Sequence, residues 1–340
     1  MSKYRIFGVE LSPYSMKVLS YFRYKGIEHE WIVRTPRVQA EFEKYAKLPL
    51  IPVVVFPDDT AMQDSTPILH ALEQRHPEPA TVPDDPVLAF VDALLEEYAD
   101  EWLNKAMFHY RWTYPENQRS ASRRIARVQL IGSRFGETPV LRNLMARMVA
   151  RRVRARMIPR LFFVGSSRQT ARQIEGSFVR LCALLEVHFN SGRPYLFGAR
   201  PSQADFSLWG QFQTIITDPG PGRIICNGHP CLSAWIERMP SARSEGEWEK
   251  PEALLITLRP ILQLEIAGLF LPWSTANAAA IADSRESFSV TLQGLEFAQK
   301  PQKYHARSLA ALCEQYAKVA DRPELDELMR QVGARPYLSR

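Results

Sequence analysis

The sequence predicts two domains, an amino-terminal α/β domain built on a partly parallel sheet and an all-α domain behind it. Three observations lead there. Strand-like and helix-like runs alternate up to residue 78, four prolines fall within the ten residues from Pro77 to Pro86, and nearly everything beyond carries helical patterning. At 340 residues and 46% hydrophobic, the chain also holds more apolar material than one core of usual size needs.

Taken in order, Tyr4 to Val9 reads as a strand and Pro13 to Lys25 as a helix. Ser12 suits the N-cap, Pro13 the first helical position, where its missing N–H costs nothing, and Gly26 the residue just past the end. Glu28 to Val33 returns as a strand and Pro36 to Ala46 as a helix. Pro52 to Phe56 is a short apolar run of the kind found in strands covered on both faces, Asp58-Asp59 supplies a turn, and Ser65-Thr66-Pro67 opens a helix to about His76. The expected boundaries are therefore 1–78 for the first domain, 79–86 for the linker, 87–244 for the helical domain and 245–340 for a mostly helical extension. Helices are expected over Val87 to Trp112, Gln118 to Arg134, Val140 to Met157, Gln169 to Asn190, Gln203 to Ile216 and Cys231 to Met239. In the extension they are expected over Ala253 to Leu271 and Tyr304 to Ala320, with a hairpin between them at about Phe288 to Leu292 and Leu295 to Ala298.

Charge is unevenly spread. From Arg119 to Arg180 there are fifteen arginines, no lysine and two acids, Glu137 and Glu175, so this segment carries +13 and the rest of the chain about −7. In the helix from Val140 to Met157, Leu141, Met145, Met148, Val153 and Met157 are expected on an apolar side and Arg147, Arg151 and Arg154 on another. Those arginines form either a solvated basic face or ion pairs with acids such as Glu96, Glu97, Asp100 and Glu101; contact with a membrane surface or a nucleic acid is the less favoured reading, since no nucleic-acid-binding motif accompanies the charge, and no nucleic-acid partner is expected. Cys182, Cys226, Cys231 and Cys313 are scattered, with no Cys-x-x-Cys pair and no His at zinc-ligand spacing, so no metal site is expected. No apolar run approaches the roughly 20 residues a bilayer span needs, and the amino terminus lacks a signal sequence. A cytoplasmic protein without a membrane span is the simplest expectation.

Four short segments carry a family resemblance. Ser12-Pro13-Tyr14-Ser15-Met16-Lys17-Val18 resembles the active-site turn of serine-type glutathione transferases; Leu50-Ile51-Pro52-Val53 resembles their apolar-Pro element and Gln63-Asp64-Ser65-Thr66-Pro67-Ile68 their acid-Ser element. Gly198-Ala199-Arg200-Pro201-Ser202-Gln203-Ala204-Asp205-Phe206 resembles the capping-box segment of their helical domain. The resemblance implies a thioredoxin-like α/β amino-terminal domain, an all-α carboxyl-terminal domain of the glutathione transferase (GST) type, and glutathione as co-substrate. It also implies a cis Pro52, a homodimer unless the extension covers the dimer face, and a small hydrophobic electrophile as second substrate. The Arg-rich stretch and the tail after Glu245 exceed the family's compact pattern.

Glutathione presents a charged γ-glutamyl end, a peptide-like middle and a thiol that reacts as thiolate. Ser65, at a helix start where the dipole favours an anion, suits the γ-glutamyl carboxylate, and Asp64 suits the ammonium. Each is equally well read as an ordinary cap and turn residue. The resemblance assigns Ile51 backbone pairing with the cysteinyl part. As N-cap, Ser12 accepts a backbone N–H and keeps its own O–H free for a thiolate, so it is the catalytic candidate, with pure capping as the alternative. Tyr14 is a second donor candidate, or a ring packed under the turn. Arg34, Arg37 and Lys44 are candidates for the glycine carboxylate. Tyr98, Trp102, His109 and Trp112 share one helical face and read as a core stripe or as an apolar pocket for the electrophile, to which Tyr14 is also assigned. Two functions follow: a transferase joining glutathione to a hydrophobic electrophile, or a non-catalytic binding or scaffold protein that keeps the fold.

Overall fold

A computed structural model describes residues 3–131, 139–319 and 321–339. The helix ends expected at Arg134 and Ala320, and Glu137, lie outside these residues.

The first domain runs β1 (Tyr4–Gly8), α1 (Pro13–Tyr24), β2 (His29–Val33), α2 (Gln39–Tyr45), β3 (Val53–Val55), β4 (Ala61–Gln63) and α3 (Ser65–Arg75). The strands order β2-β1-β3-β4, with β1 parallel to β2 and β3 antiparallel to both β1 and β4. This is the thioredoxin-like arrangement. Its register places the site: Phe7 pairs with Val53 and Val53 with Gln63, so the end of β1, the start of β3 and the end of β4 meet at one edge. Ser12, Pro52 and Asp64 lie close to those ends in sequence.

A long helix opens the second domain, α4 (Pro86–Tyr98) passing through a π-helical turn (Ala99–Leu103) into α5 (Asn104–Thr113). Then come α6 (Pro115–Gln129), α7 (Pro139–Met157), α8 (Ala171–Phe189), α9 (Gln203–Ile216), α10 (Pro219–Gly228) and α11 (Pro230–Arg238). Ser202 caps α9 in a capping box with Asp205. The helix α10 is absent from the sequence expectation because its Pro-Gly-Pro-Gly start reads as a turn; here Pro219 occupies the first turn, where it is tolerated.

In the extension α12 (Pro251–Ile261), a π-helical stretch (Leu262–Phe270) and α13 (Leu271–Ala282) form one continuous helix, longer than expected. By length and composition its 32 residues are apolar enough to cross a membrane, an exception to the sequence expectation. Leu254, Leu258, Leu262, Ile266, Leu269 and Trp273 are instead packed in the core. The hairpin β5 (Phe288–Leu292) and β6 (Leu295–Gln299), then α14 (Lys303–Lys318), α15 (Pro323–Val332) and α16 (Arg335–Leu338), complete the chain. One apolar cluster runs from Tyr4 through the helical domain to Leu338, so the extension shares the core of both domains. Polar ties reinforce it: buried Glu265 accepts from Tyr98 at 2.9 Å and Arg180 at 2.6 Å, and Gln299 accepts from Lys105 and Trp273 at 3.1 Å each.

The joint between the domains is ionic. Lys17 of α1, wholly buried, places Nζ 2.7 Å from Glu96, 2.7 Å from Asp100 and 3.0 Å from Thr66. Burial alone lowers an ammonium pKa; the Asp100 and Glu96 carboxylates outweigh it and hold Lys17 charged, above its ordinary value. Lys17→Met strands two buried carboxylates and is expected to cost about 3–5 kcal/mol of stability, whereas Lys17→Met with Glu96→Gln and Asp100→Asn recovers most of it. Denaturant titration of the two variants checks this, and equal losses would count against the ionic joint.

Candidate functional site

The turn after β1 is built to hold Ser12 in place. The Ser12 Oγ accepts the Ser15 N–H at 3.3 Å, which caps α1 and leaves the hydroxyl hydrogen free, while the Ser12 N–H donates to the Val9 carbonyl at 3.0 Å. Arg111 of α5, buried, donates to the Leu11 carbonyl at 3.1 Å, to Asp218 at 2.7 Å and to the Thr214 carbonyl at 2.9 Å. The helix α9 presses on the other side of the turn at Gly210, where a Cβ would lie 2.5 Å from the Pro13 carbonyl oxygen. Any side chain there would push the turn away.

Beside this turn lies a cleft of about 290 Å³ between the domains. The first domain contributes Ser12, Ile51 and Arg34, and the helical domain contributes Met107, Phe108, Arg111 and Trp112 of α5, Ile125 and Val128 of α6, and Met157 of α7. The Ile51–Pro52 peptide is cis, as the resemblance implies. Arg34 stacks its guanidinium 4.3 Å from the Phe42 ring centre and donates to Gln39 at 3.1 Å, leaving its Nε buried without a partner. A buried, unsatisfied guanidinium N–H at a cleft wall suits an anion.

Asp64 and Ser65 stand at the same sheet edge but do not line this cleft. Asp64 has φ +82° at the turn into α3 and makes no cap bond; its carboxylate accepts the Tyr304 hydroxyl at 2.9 Å from the first turn of α14. Ser65 is buried at the start of α3. Near Asp64, Glu97, Asp100 and Glu101 form an acidic cluster where α14 packs. Glu97 accepts the Ser308 hydroxyl, and His305 faces Glu101.

Four residues expected in the electrophile pocket lie elsewhere. Tyr14 is turned into the domain joint, where its hydroxyl donates to the Asp100 carbonyl at 2.8 Å. Tyr98 donates to Glu265, and Trp102 to Ser177 at 2.8 Å, both in the core. His109 is buried with its ring nitrogens 2.7 Å from Ser166 and 2.8 Å from Glu175, which makes it a packing residue rather than an acid facing the cleft. The reason is phase. The cleft is lined by Met107, Phe108, Arg111 and Trp112, so of the expected face only Trp112, at its edge, reaches it, while Met107 and Arg111 sit about 200° round the helix from Lys105 and His109. Periodicity finds an apolar face but does not say which cavity it lines. Arg111 has one usable signal in the sequence, a charge embedded in an aromatic helix. The pairing considered between Arg147, Arg151 or Arg154 and the acids Glu96, Glu97, Asp100 and Glu101 does not occur among the described residues: those acids face Lys17, Ser308 and His305.

Two segments match known families. Residues 6–80 match the glutathione S-transferase N-terminal domain, and residues 168–238 the glutathione S-transferase C-terminal domain. No curated protein sequence matches the chain. Among solved structures, a glutathione S-transferase from Methylobacterium radiotolerans, in complex with glutathione sulfonate, is 20% identical over 70% of this chain and 90% of its own, with a TM-score of 0.44. A beta-etherase from Sphingobium is 19% identical over 76% and 99%, with a TM-score of 0.47. A glutathione S-transferase from Rhodospirillum rubrum is 17% identical over 90% and 99%, with a TM-score of 0.45. The two matches lie in order along the chain, and the stretch from 81 to 167, with α6 and α7, falls between the matched segments.

Tail docking is expected to depend on pH. Burial pushes Glu97 up to about 7, with Glu96 and Asp100 adding to it against Lys17 and the Ser308 hydroxyl. A carboxyl raised in the folded state binds its proton more tightly there, so its contribution is present below the unfolded pKa and is lost as pH rises through about 7. Burial pushes His305 down to about 4, which works the opposite way between that value and about 6.5. The readable quantity is therefore a difference. Glu97→Gln is expected to gain melting temperature relative to wild type as pH rises from 5 to 8, by about 2–4 °C. A constant offset across that range would exclude Glu97 as the titrating group.

Proposed function

We propose that this protein is a glutathione transferase-like enzyme in which Ser12 stabilises the glutathione thiolate for attack on a hydrophobic electrophile. The observation that carries the reading is the cleft that brings together a free-hydrogen Ser12 hydroxyl, Ile51 and the unsatisfied Arg34. Glutathione's charges have counterparts among these residues. Its cysteinyl part pairs with the backbone of Ile51, its glycine carboxylate meets Arg34, and its γ-glutamyl end points to Asp64 and Ser65, with the acidic cluster favouring the ammonium.

The chemistry needs little more. The helix α1 starts at Pro13, so its amino-terminal positive potential and the Ser12 O–H both favour thiolate over thiol, and the thiol proton goes to solvent. The thiolate then forms a carbon–sulfur bond, with either a leaving group departing or a proton taken up at carbon. Met107, Phe108, Trp112, Ile125, Val128 and Met157 supply an apolar wall for an aromatic or alkyl electrophile. One observation favours the second reading, a non-catalytic binding or scaffold protein: Tyr304 already occupies the Asp64 carboxylate. Its side chain is 49% exposed and makes that contact at the surface, so a bound ammonium can replace it. A homodimer, if formed, must accommodate α14, which lies over α4.

Calorimetry with glutathione tests binding. Arg34→Gln and Asp64→Asn each remove a charge-assisted contact of about 1.5–3 kcal/mol, so the dissociation constant is expected to rise about ten- to a hundredfold. Absence of saturable binding by wild type at millimolar glutathione would overturn the proposal. Ser12→Ala separates catalysis from binding. Turnover of a halogenated nitroarene is expected to fall by about tenfold or more, because one pKa unit of lost thiolate stabilisation is about 1.4 kcal/mol, while affinity for glutathione changes little. Thiolate absorbance of bound glutathione against pH is the direct readout. Superimposed curves for wild type and Ser12→Ala, with binding intact, leave the scaffold reading standing.

A further inference from the structure

The helix α7 presents a face that nothing in the described residues covers. Its inner side, Val149, Val153 and Met157 at intervals of four, packs against Ala121 and Ile125 of α6 and Trp112 of α5. On the outer side Leu141, Leu144 and Met148 are 40%, 55% and 43% exposed, and their spacing of three and four residues sets them in a single row. Arginines flank that row. Arg147 and Arg151 lie along one side of it and Arg152 and Arg156 along the other; all four are exposed, and no acid lies within ion-pair distance of any of them among the described residues. The helix itself carries no acid. Beside it on α6, Arg123 and Arg127 are exposed and likewise have no acid within ion-pair distance among the described residues.

Single exposed apolar side chains are ordinary on a protein surface, but here Leu141, Leu144 and Met148 form one row between arginines, and arginines meant for intramolecular pairing would have acids opposite them. We propose that α7 docks this face on an anionic phospholipid surface, lying in the interface plane. Its apolar row enters the headgroup boundary and its flanking arginines meet lipid phosphates. The row and the arginines together discriminate between anionic partners. A nucleic-acid duplex satisfies the guanidinium groups but leaves Leu141, Leu144 and Met148 in water, whereas a bilayer interface takes both. Arginine suits the position further, because its long apolar stem covers hydrocarbon while the head reaches the phosphate. Met157, on the inner side, lines the cleft, so docking sets the cleft about 10 Å, one helix diameter, from the lipid.

The test is co-sedimentation of the full chain with vesicles of pure phosphatidylcholine and with vesicles of equal parts phosphatidylcholine and phosphatidylglycerol. Binding is expected on the mixed vesicles and not on the neutral ones. It is expected to weaken as salt shortens the Debye length from about 10 Å at 0.1 M to about 3 Å at 1 M. Arg147→Glu with Arg151→Glu is expected to lower partitioning by about 25-fold or more, at about fivefold for each basic residue at the surface. Leu144→Ser with Met148→Ser is expected to lower it by about tenfold or more through lost apolar burial. All four side chains are exposed, so the melting temperature should stay put, and a melt of each variant confirms that the fold is intact. Failure of wild type to bind the mixed vesicles at low salt overturns the proposal. So does binding that the serine pair leaves unchanged, and if a DNA duplex then competes with the vesicles, the face is a nucleic-acid surface instead.

Discussion

A lysine buried in the middle of a helix is the constraint on which the site depends. The Lys17 ammonium has no water to fall back on, so α1 can sit where it does only if Glu96 and Asp100 of the long helix and Thr66 of α3 are all within reach. Those contacts fix α1 and α3 against the second domain together. Both helices start at the same sheet edge, at Ser12 and at Ser65, and their amino termini are the two positive ends that a bound anion would meet. An apolar joint of equal volume could be as stable but would tolerate sliding; a buried charge with two fixed partners does not.

The turn carrying Ser12 is held from the opposite side by equally specific contacts. Arg111 commits its guanidinium to Asp218 and to two carbonyls, one of them in the turn, and Asp218 also receives Arg124. Gly210 lets α9 approach to contact distance with Pro13. The helical domain therefore forms one wall of the cleft and also sets the backbone of the other. A displacement of α5 or α9 would move Ser12 itself.

The extension after Glu245 belongs to this scheme and is no appendage. Its long helix buries Glu265 under Tyr98, Ser177 and Arg180, its hairpin supplies Gln299 to Lys105 and Trp273, and α14 reaches Asp64 through Tyr304. Lys105 is enclosed by Trp102, Trp273 and Phe297, and burial pushes its ammonium well below its ordinary pKa.

What the sequence by itself determined was local. The cap at Ser12, the proline-rich break after Pro77, the capping box from Ser202 to Asp205 and the strand runs of Phe288 to Leu292 and Leu295 to Ala298 are each decided by neighbours a few residues apart, and so they are legible in order along the chain. The short motifs and their order carried the fold. Tertiary structure alone decided which side of the Tyr98 to Trp112 helix meets the cleft, because phase relative to a distant cavity depends on packing between helices that the pattern does not encode. It decided that Arg34, and not Arg37 or Lys44, stands at the cleft wall, and that Arg111 holds the turn. It also decided that Glu96, Glu97 and Asp100 answer Lys17 and α14 rather than the arginines of α7. Opposite charges are attracted over any separation in sequence, so charge counts cannot name partners; only the folded distances do.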